Sequence, residues 1–365
     1  MTMQWLLYGA NGYTGELLAR EAVARGLQPI LAGRNAGKLA ALAGELGLPH
    51  RVFALDDAGE LRRGLEGVEL VLHCAGPFSA TSAPMLEACL AAKAHYLDIT
   101  GEIAVFEHAK AQGHRARDAG IVVCPGVGFD VIPTDCVAAR LKASLPDATH
   151  LALGFDSRSG LSPGTARTSV EGLAQGGRMR IDGVIRAVPL AAQVRRIDFG
   201  DGEKLAMSIP WGDVSTAWTS TRIPNIAVFV PASPRLIANA RRANNFRWLL
   251  RMGWAQSLMK WRVGKSVHGP DAEKRERLHA FVWGEARNAA GTTQIARIRV
   301  ANGYALTISG SLAVIGFLAS NRVPGGYYTP SQLCGADLVQ RLPGSGPLRI
   351  DQVAPPSPRQ ADRVD

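Results

Sequence analysis

Three glycines near the start of the chain stand at a spacing that can hold a phosphate. Residues 9–15 read Gly9-Ala10-Asn11-Gly12-Tyr13-Thr14-Gly15, a G-x-x-G-x-x-G turn between an apolar run at 4–8 and a helix-periodic stretch at 13–25. Glycine lets such a turn close tightly and lets backbone N–H groups approach a pyrophosphate, whose charge is favoured at the N-terminus of the following helix. Thr14 adds a hydroxyl donor, and Asn11 and Tyr13 belong to the same turn. A plain connection is the competing reading, but the setting between strand and helix favours nucleotide binding.

The next apolar run ends Leu31-Ala32-Gly33-Arg34-Asn35. Sites that select NAD place Asp or Glu here to accept from the ribose 2′-hydroxyl. Arg34 instead suits a 2′-phosphate, and Lys38, one turn into the next helix, adds a second cation. An arginine solvated in a loop is the alternative. The expected cofactor is therefore NADP(H). Asp56, after a third apolar run, is a candidate for the adenine side or a simple turn aspartate. A fourth run ends His73-Cys74-Ala75-Gly76-Pro77-Phe78. Cys74, Ala75, Gly76 and Pro77 would let backbone lie against the cofactor, with Phe78 walling the nicotinamide side, whereas His73 reads as a packed core residue. Asp98, Glu102 and Asp130 follow at later strand ends, where the nicotinamide would lie. Each is a candidate catalytic proton relay, and each is equally readable as a helix cap.

The elements that must position these groups alternate through the first 125 residues. Strand-like runs at 4–8, 28–32, 51–55, 69–74, 95–98 and 121–123 are separated by helical stretches, including one at 103–119. That alternation predicts βαβ units and an α/β, Rossmann-type doubly wound parallel sheet. Later the rhythm changes to strand beside strand, with helices expected at 133–145, 164–175, 234–261 and 304–320, so an inserted α+β second domain is expected. The expected division is a nucleotide-binding domain at 1–130, a substrate and dimerisation domain at 131–322, a helix returning to the first domain at 323–342, and a disordered, proline-rich tail at 343–365.

Together these residues resemble the saccharopine dehydrogenase-like NADP-dependent oxidoreductase family. The likeness rests on GANGYTG at 9–15, AGR at 32–34, AGPF at 75–78, YLDITGE at 96–102, GFDVIPTD at 128–135, PWGD at 210–213 and PGGYYTP at 324–330. It is strongest towards the branch of trans-acting enoyl reductases. The resemblance implies a Rossmann domain holding NADP(H), an inserted domain, and a cleft between them for the reductive step. It leaves the substrate open. No Tyr-x-x-x-Lys pair occurs, so the proton-donating pair of short-chain carbonyl reductases is missing. That favours hydride transfer to an activated C=C (enoyl) or C=N bond of a hydrophobic small molecule or acyl chain, since such acceptors ask less of a dedicated acid. A non-catalytic NADP(H)-sensing or membrane-associated binding protein is the other class considered. In the second domain, Arg167 is readable as a substrate-anion contact or as a surface arginine.

Composition narrows the setting. Five dispersed cysteines without CxxC spacing exclude a disulfide framework or zinc knuckle, so no metal is expected and a reducing cytoplasm fits. The first apolar run ends at Gly9, and no secretory leader is expected. The net charge of +10 is concentrated, because residues 214–270 hold nine basic residues and no acid. Within it, residues 244–265 interleave Arg247, Arg251 and Arg262 with Trp248, Trp254 and Trp261. That stretch reads as a homodimer interface, a lid over an acyl substrate, or a peripheral membrane anchor. Nucleic acid is not expected, because so apolar a surround offers phosphates little.

Overall fold

Trp5–Tyr8, β1, contains only apolar and aromatic residues and is buried throughout, so it must be covered on both faces. The computed structural model, which describes residues 3–157, 176–246, 252 and 278–353, covers it with helices on either side of a parallel sheet. The strands are β1, β2 (Ile30–Gly33), β3 (His50–Val52), β4 (Leu70–His73), β5 (His95–Asp98) and β6 (Val122–Cys124). Between them run α1 (Tyr13–Ala24), α2 (Ala36–Leu46), α3 (Ala58–Gly64), α4 (Phe78–Ala92), α5 (Ile103–Ala111) and α6 (Gly113–Ala119). The spatial order β3-β2-β1-β4-β5-β6 reverses direction between β1 and β4, which opens a crevice at their carboxyl ends. The stretch expected as one helix at 103–119 breaks at Gln112. A Cβ on Gly113 would lie 3.2 Å from the Cβ of Tyr327, so the second helix is angled to fit a later strand.

The second sheet is mixed. Its strands are β7 (Ala148–Ser157), β8 (Gly177–Ile181), β9 (Val184–Val188), β10 (Val194–Asp198), β11 (Glu203–Ile209), β12 (Asn225–Pro231), β13 (His279–Asn288) and β14 (Thr293–Ala301). β7 pairs parallel with β12, and the remaining pairings are antiparallel. Its helices are α7 (Ile132–Ser144), α8 (Asp213–Thr221), α9 (Pro234–Ala243) and α10 (Gly303–Ser320). β8 and β9 form an antiparallel hairpin.

α7 lies on β13 and β14, with Gly284 of β13 making room for Val137 and Leu141. α10 packs on α1 and contributes Leu306, Leu312 and Ile315 to the same apolar cluster as Leu7, Leu72, Leu153 and Ile298. By length and composition α10 could cross a bilayer, yet half of that window is buried inside the protein. One continuous core therefore joins the two sheets.

Three expectations change. The segment 323–342 joins the first sheet as a strand, β15 (Gly326–Tyr327), parallel to β6. Two short helices follow, α11 (Pro330–Cys334) and α12 (Leu338–Arg341), separated at Gly335 with φ 88°. In the tail expected to be disordered, β16 (Arg349–Val353) pairs with β14, because Leu348 and Ile350 pack against the core cluster. Residues 354–365 lie outside the described residues. The helix expected at 234–261 stops at Ala243, where the Asn244 side chain accepts from Leu190 N at 2.8 Å and donates to Leu190 O at 3.2 Å. Apart from a 3-10 turn at Asn244–Phe246 and the exposed Met252, the basic segment 244–265 lies outside the described residues, as does the stretch containing Arg167.

The packing of Gly284 gives a direct test. A Cβ there would meet Val137 Cγ1 at 2.5 Å and Leu141 Cδ1 at 2.8 Å. Gly284→Ala should cost about 1–3 kcal/mol of unfolding free energy in urea titrations, the usual cost of overpacking. Gly316→Ala, on an exposed helical position with open space, should instead stabilise by about 0.5–1 kcal/mol.

Candidate functional site

The glycine turn is built by close backbone approach. Gly9 adopts φ 84° and donates its N–H to Ala32 O at 2.8 Å. A Cβ on Gly9 would lie 2.8 Å from Ala75 N, and one on Gly15 would lie 2.2 Å from Gly9 O. A Cβ on Gly33 would lie 2.7 Å from Asn11 Oδ1. The ends of β1, β2 and β4 are thus drawn to within contact of one another, and only glycine fits.

They frame a cleft of about 550 Å³. Gly9, Asn11, Gly12, Gly33 and Arg34 line it from the β1 and β2 sides, and Cys74, Ala75 and Gly76 from the β4 side. Tyr8 and Asn35, which sequence reasoning missed, also line it; both abut the predicted turns. Tyr8 donates its hydroxyl to Phe53 O at 3.1 Å. Burial pushes its pKa up to about 12, with Arg34 pulling down and Asp56 pushing up, so both charges lie close to this ring. Tyr13, Thr14, Gly15, Lys38, Asp56, Pro77 and Phe78 do not line the cleft. Gly15 serves packing instead, Lys38 N donates to the Asn35 cap, and the Tyr13 ring meets Tyr304 edge-on at 5.1 Å. A smaller hollow of about 270 Å³ sits at the opposite, amino ends of β1–β3, where parallel sheets do not bind their cofactors.

The cleft fits a dinucleotide phosphate on structural grounds. The Gly12 N-cap of α1 has no side-chain cap, leaving its first N–H groups pointing into the cradle that a Cβ would fill. Arg34 is exposed at the rim, where a 2′-phosphate would meet it.

At the far end of the crevice, the three candidate carboxylates separate by environment. Asp98 is fully buried and accepts from Thr100 N at 3.0 Å, Gly126 N at 2.9 Å and Tyr96 Oη at 2.7 Å. Burial raises its pKa to about 6 against the pull of those donors. Its position ties the end of β5 to the loop after β6. Glu102 accepts from Phe78 N at 3.0 Å and Ser79 N at 2.9 Å, so it caps α4 from a neighbouring loop. Asp130 is different. Among the described residues its carboxyl has no hydrogen-bond partner, and a Cβ on Gly101 would stand 2.9 Å from its Oδ2. Burial raises its pKa to about 7. Its carbonyl accepts from Trp211 Nε1 at 2.9 Å.

His73 is fully buried, and burial lowers its pKa to about 3, so it is neutral. Thr81 donates to Ala75 O at 2.6 Å and lies 2.9 Å from His73 Nε2, which makes the ring N–H the donor in that pair. His73 thereby steadies the Ala75 loop from beneath. Burial likewise pushes the Cys74 thiol up, Asp98 adding to it, which leaves Cys74 a neutral lining group. Asp213, in the PWGD motif, does not face the cleft: it is fully buried and accepts from Thr134 Oγ1 at 2.6 Å.

Arg34→Ala should weaken NADPH binding about tenfold or more while leaving NADH affinity nearly unchanged, as measured by fluorescence titration. Equal losses for both cofactors would remove Arg34 from the 2′-phosphate.

Residues 5–124 match the family model for the saccharopine dehydrogenase NADP binding domain. A saccharopine dehydrogenase-like oxidoreductase of Arabidopsis thaliana is 29% identical over 199 residues, covering 48% of this chain and 44% of that one. A trans-acting enoyl reductase of Mycobacterium tuberculosis is 31% identical over 154 residues, 40% of this chain and 37% of that protein. The matched region thus spans less than half the length of these curated relatives. Among solved structures, saccharopine dehydrogenase (L-Glu forming) of Saccharomyces cerevisiae matches 96% of this chain and 100% of its own with a TM-score of 0.62 at 12% identity, a likeness of fold. Residues 5–124 thus form an NADP-binding domain of the saccharopine dehydrogenase type, within an overall architecture similar to that of saccharopine dehydrogenase.

Proposed function

We propose that the chain is an NADPH-dependent reductase acting on an activated C=C (enoyl) bond, or a C=N bond of similar polarity, in a hydrophobic small molecule or acyl chain. The observation that carries the reading is Asp130: a carboxyl without a hydrogen-bond partner among the described residues, at the strand ends opposite the glycine turn, with a pKa of about 7. A general acid works best when its pKa lies near the operating pH. The name of one relative, trans-acting enoyl reductase, supports the C=C acceptor.

When bound, NADPH supplies the hydride. The protein's own groups do the rest. The α1 N-terminus and the N–H groups of the glycine turn hold the pyrophosphate, and Arg34 meets the 2′-phosphate. Glu102, His73 and Thr81 hold the 75–78 loop at a fixed distance from Gly9. Asp130 in its neutral form donates its proton to the acceptor atom that becomes electron-rich as hydride arrives at the other. It is left as carboxylate and regains a proton from water. Asp98 and Glu102, committed to backbone donors, act as positioning residues.

The pH dependence has a definite sign. Asp130 must be protonated to donate, so kcat/KM should fall as pH rises through about 7. Asp130→Asn should lower kcat by about 10²–10⁴-fold, abolish that limb and leave NADPH affinity intact. A stability readout needs no substrate. A carboxyl whose folded pKa is raised favours the folded state while protonated and loses that advantage as pH climbs from 3.8 to about 7. The stability of Asp130→Asn relative to wild type should therefore increase across that window. NADPH oxidation across enoyl thioesters, enones and imines tests the activity. Tight NADPH binding with no oxidation anywhere in that panel would favour a cofactor-sensing protein instead.

A further inference from the structure

The surface beside Asp130 is built from aromatic rings. Phe129 meets Phe155 edge-on, with centroids 5.7 Å apart at 85°, and Phe155 meets Trp211 at 4.9 Å and 49°. The three come from separate elements: the loop after β6, the end of β7 and the loop before α8. Packing of that kind is common in cores, and Phe129 belongs to the main core cluster with Phe155 packed against it, but two of the three rings are not sealed in. Phe155 and Trp211 are only half-buried, whereas Phe129 is 8% exposed and forms the floor.

The rings are also held in place. Phe129 N donates to Thr307 Oγ1 at 3.0 Å, and a Cβ on Gly303 would lie 3.3 Å from the Phe129 ring, so α10 backs it closely. Trp211 spends its indole N–H on the Asp130 carbonyl. Gly212, next in the chain, has Phe106 Cε2 only 2.4 Å from where a Cβ would sit, and Gly101 O at 3.0 Å. Phe155 and Trp211 thus keep part of their ring surface exposed, and Trp211 is tied to the backbone of the partly exposed Asp130.

Resting on the reductase reading above, we infer that Phe129, Phe155 and Trp211 form the acceptor subsite and select a flat, uncharged conjugated group over an acceptor that carries its own carboxylate. Ring faces are electronegative and pair best with another flat π system offset or edge-on. An anion placed there gains nothing from the faces and is repelled by Asp130 when that group is ionised, and by Glu102 nearby. A flat amide or thioester conjugated to an alkene leaves no charged group to desolvate and brings its double bond beside the proton source.

Binding tests this without turnover. The NADP⁺-loaded full chain is titrated calorimetrically at fixed pH with cinnamamide as the flat neutral probe, cinnamate as its charged analogue and cyclohexanecarboxamide as the non-flat one. Cinnamamide should bind tightest of the three. Phe155→Leu and Trp211→Leu should each weaken it about tenfold while leaving NADP⁺ affinity within about twofold. Phe155 makes no side-chain hydrogen bond, so its variant decides the matter should Trp211→Leu fail to fold. Cinnamate binding as well as cinnamamide, equal affinity in the variants, or no binding of cinnamamide to wild type would each overturn the subsite. Failure of the oxidation panel bears on the reductase reading alone, since these titrations do not depend on it.

Discussion

The approach of Gly9 to the end of β4 is the constraint on which the molecule depends. With Gly9 at φ 84° and Ala75 N where a Cβ would stand, the β1–α1 turn lies directly against the 75–78 loop. That contact sets how near the backbone of both segments comes to the crevice, and the neighbouring supports follow from it. Asn11 fills the space beside Gly33, His73 and Thr81 steady Ala75, and Glu102 caps the helix that begins at Phe78. None of these partners is near Gly9 in sequence except Asn11. A larger side chain at Gly9 would push the two loops apart and open the cradle that gives the phosphate its N–H groups.

The second constraint is the joint between the two sheets. The PWGD segment works as a three-part clasp. Trp211 donates to Asp130, Gly212 fits against Phe106 and Gly101, and Asp213 is bound by Thr134 at the start of α7. Around it the core passes without interruption from Leu7 to Ile298, and β15 inserts beside β6 so that the chain's late segment completes the first sheet. Two sheets that share a core, with a late strand completing the first, hold the crevice wall in a fixed relation to the cofactor turn, which is the preorganisation a transfer step needs.

Within that frame, charge is governed by burial rather than by sequence spacing. Asp98, Glu102 and Asp130 look alike along the chain. One is enclosed by three donors, one is spent on two backbone N–H groups, and one is lodged against a glycine with its pKa raised to about 7. His73, which reads from the sequence as a packed core residue, is held neutral by burial. The difference is desolvation set against donors, and both are properties of neighbours brought from other elements.

Much of the nucleotide half was legible beforehand. Glycine turn chemistry and the alternation of strand and helix are local, so the doubly wound sheet, the cradle at Gly9 and Gly12, and the cation at Arg34 could be read from short windows. The rest could not, because it rests on long-range burial. A two-residue strand at Gly326–Tyr327 and an edge strand at Arg349–Val353 have too little pattern to announce themselves and exist only because another strand offers its edge. Tyr8 and Asn35 entered the cleft through strand-end geometry rather than motif. The sequence by itself determined the βαβ order and the cofactor turn, since these depend on backbone freedom and period. Which carboxyl has no donor among the described residues, and which rings stand beside it, was decided only by the tertiary structure, because burial is a property of the whole packed chain.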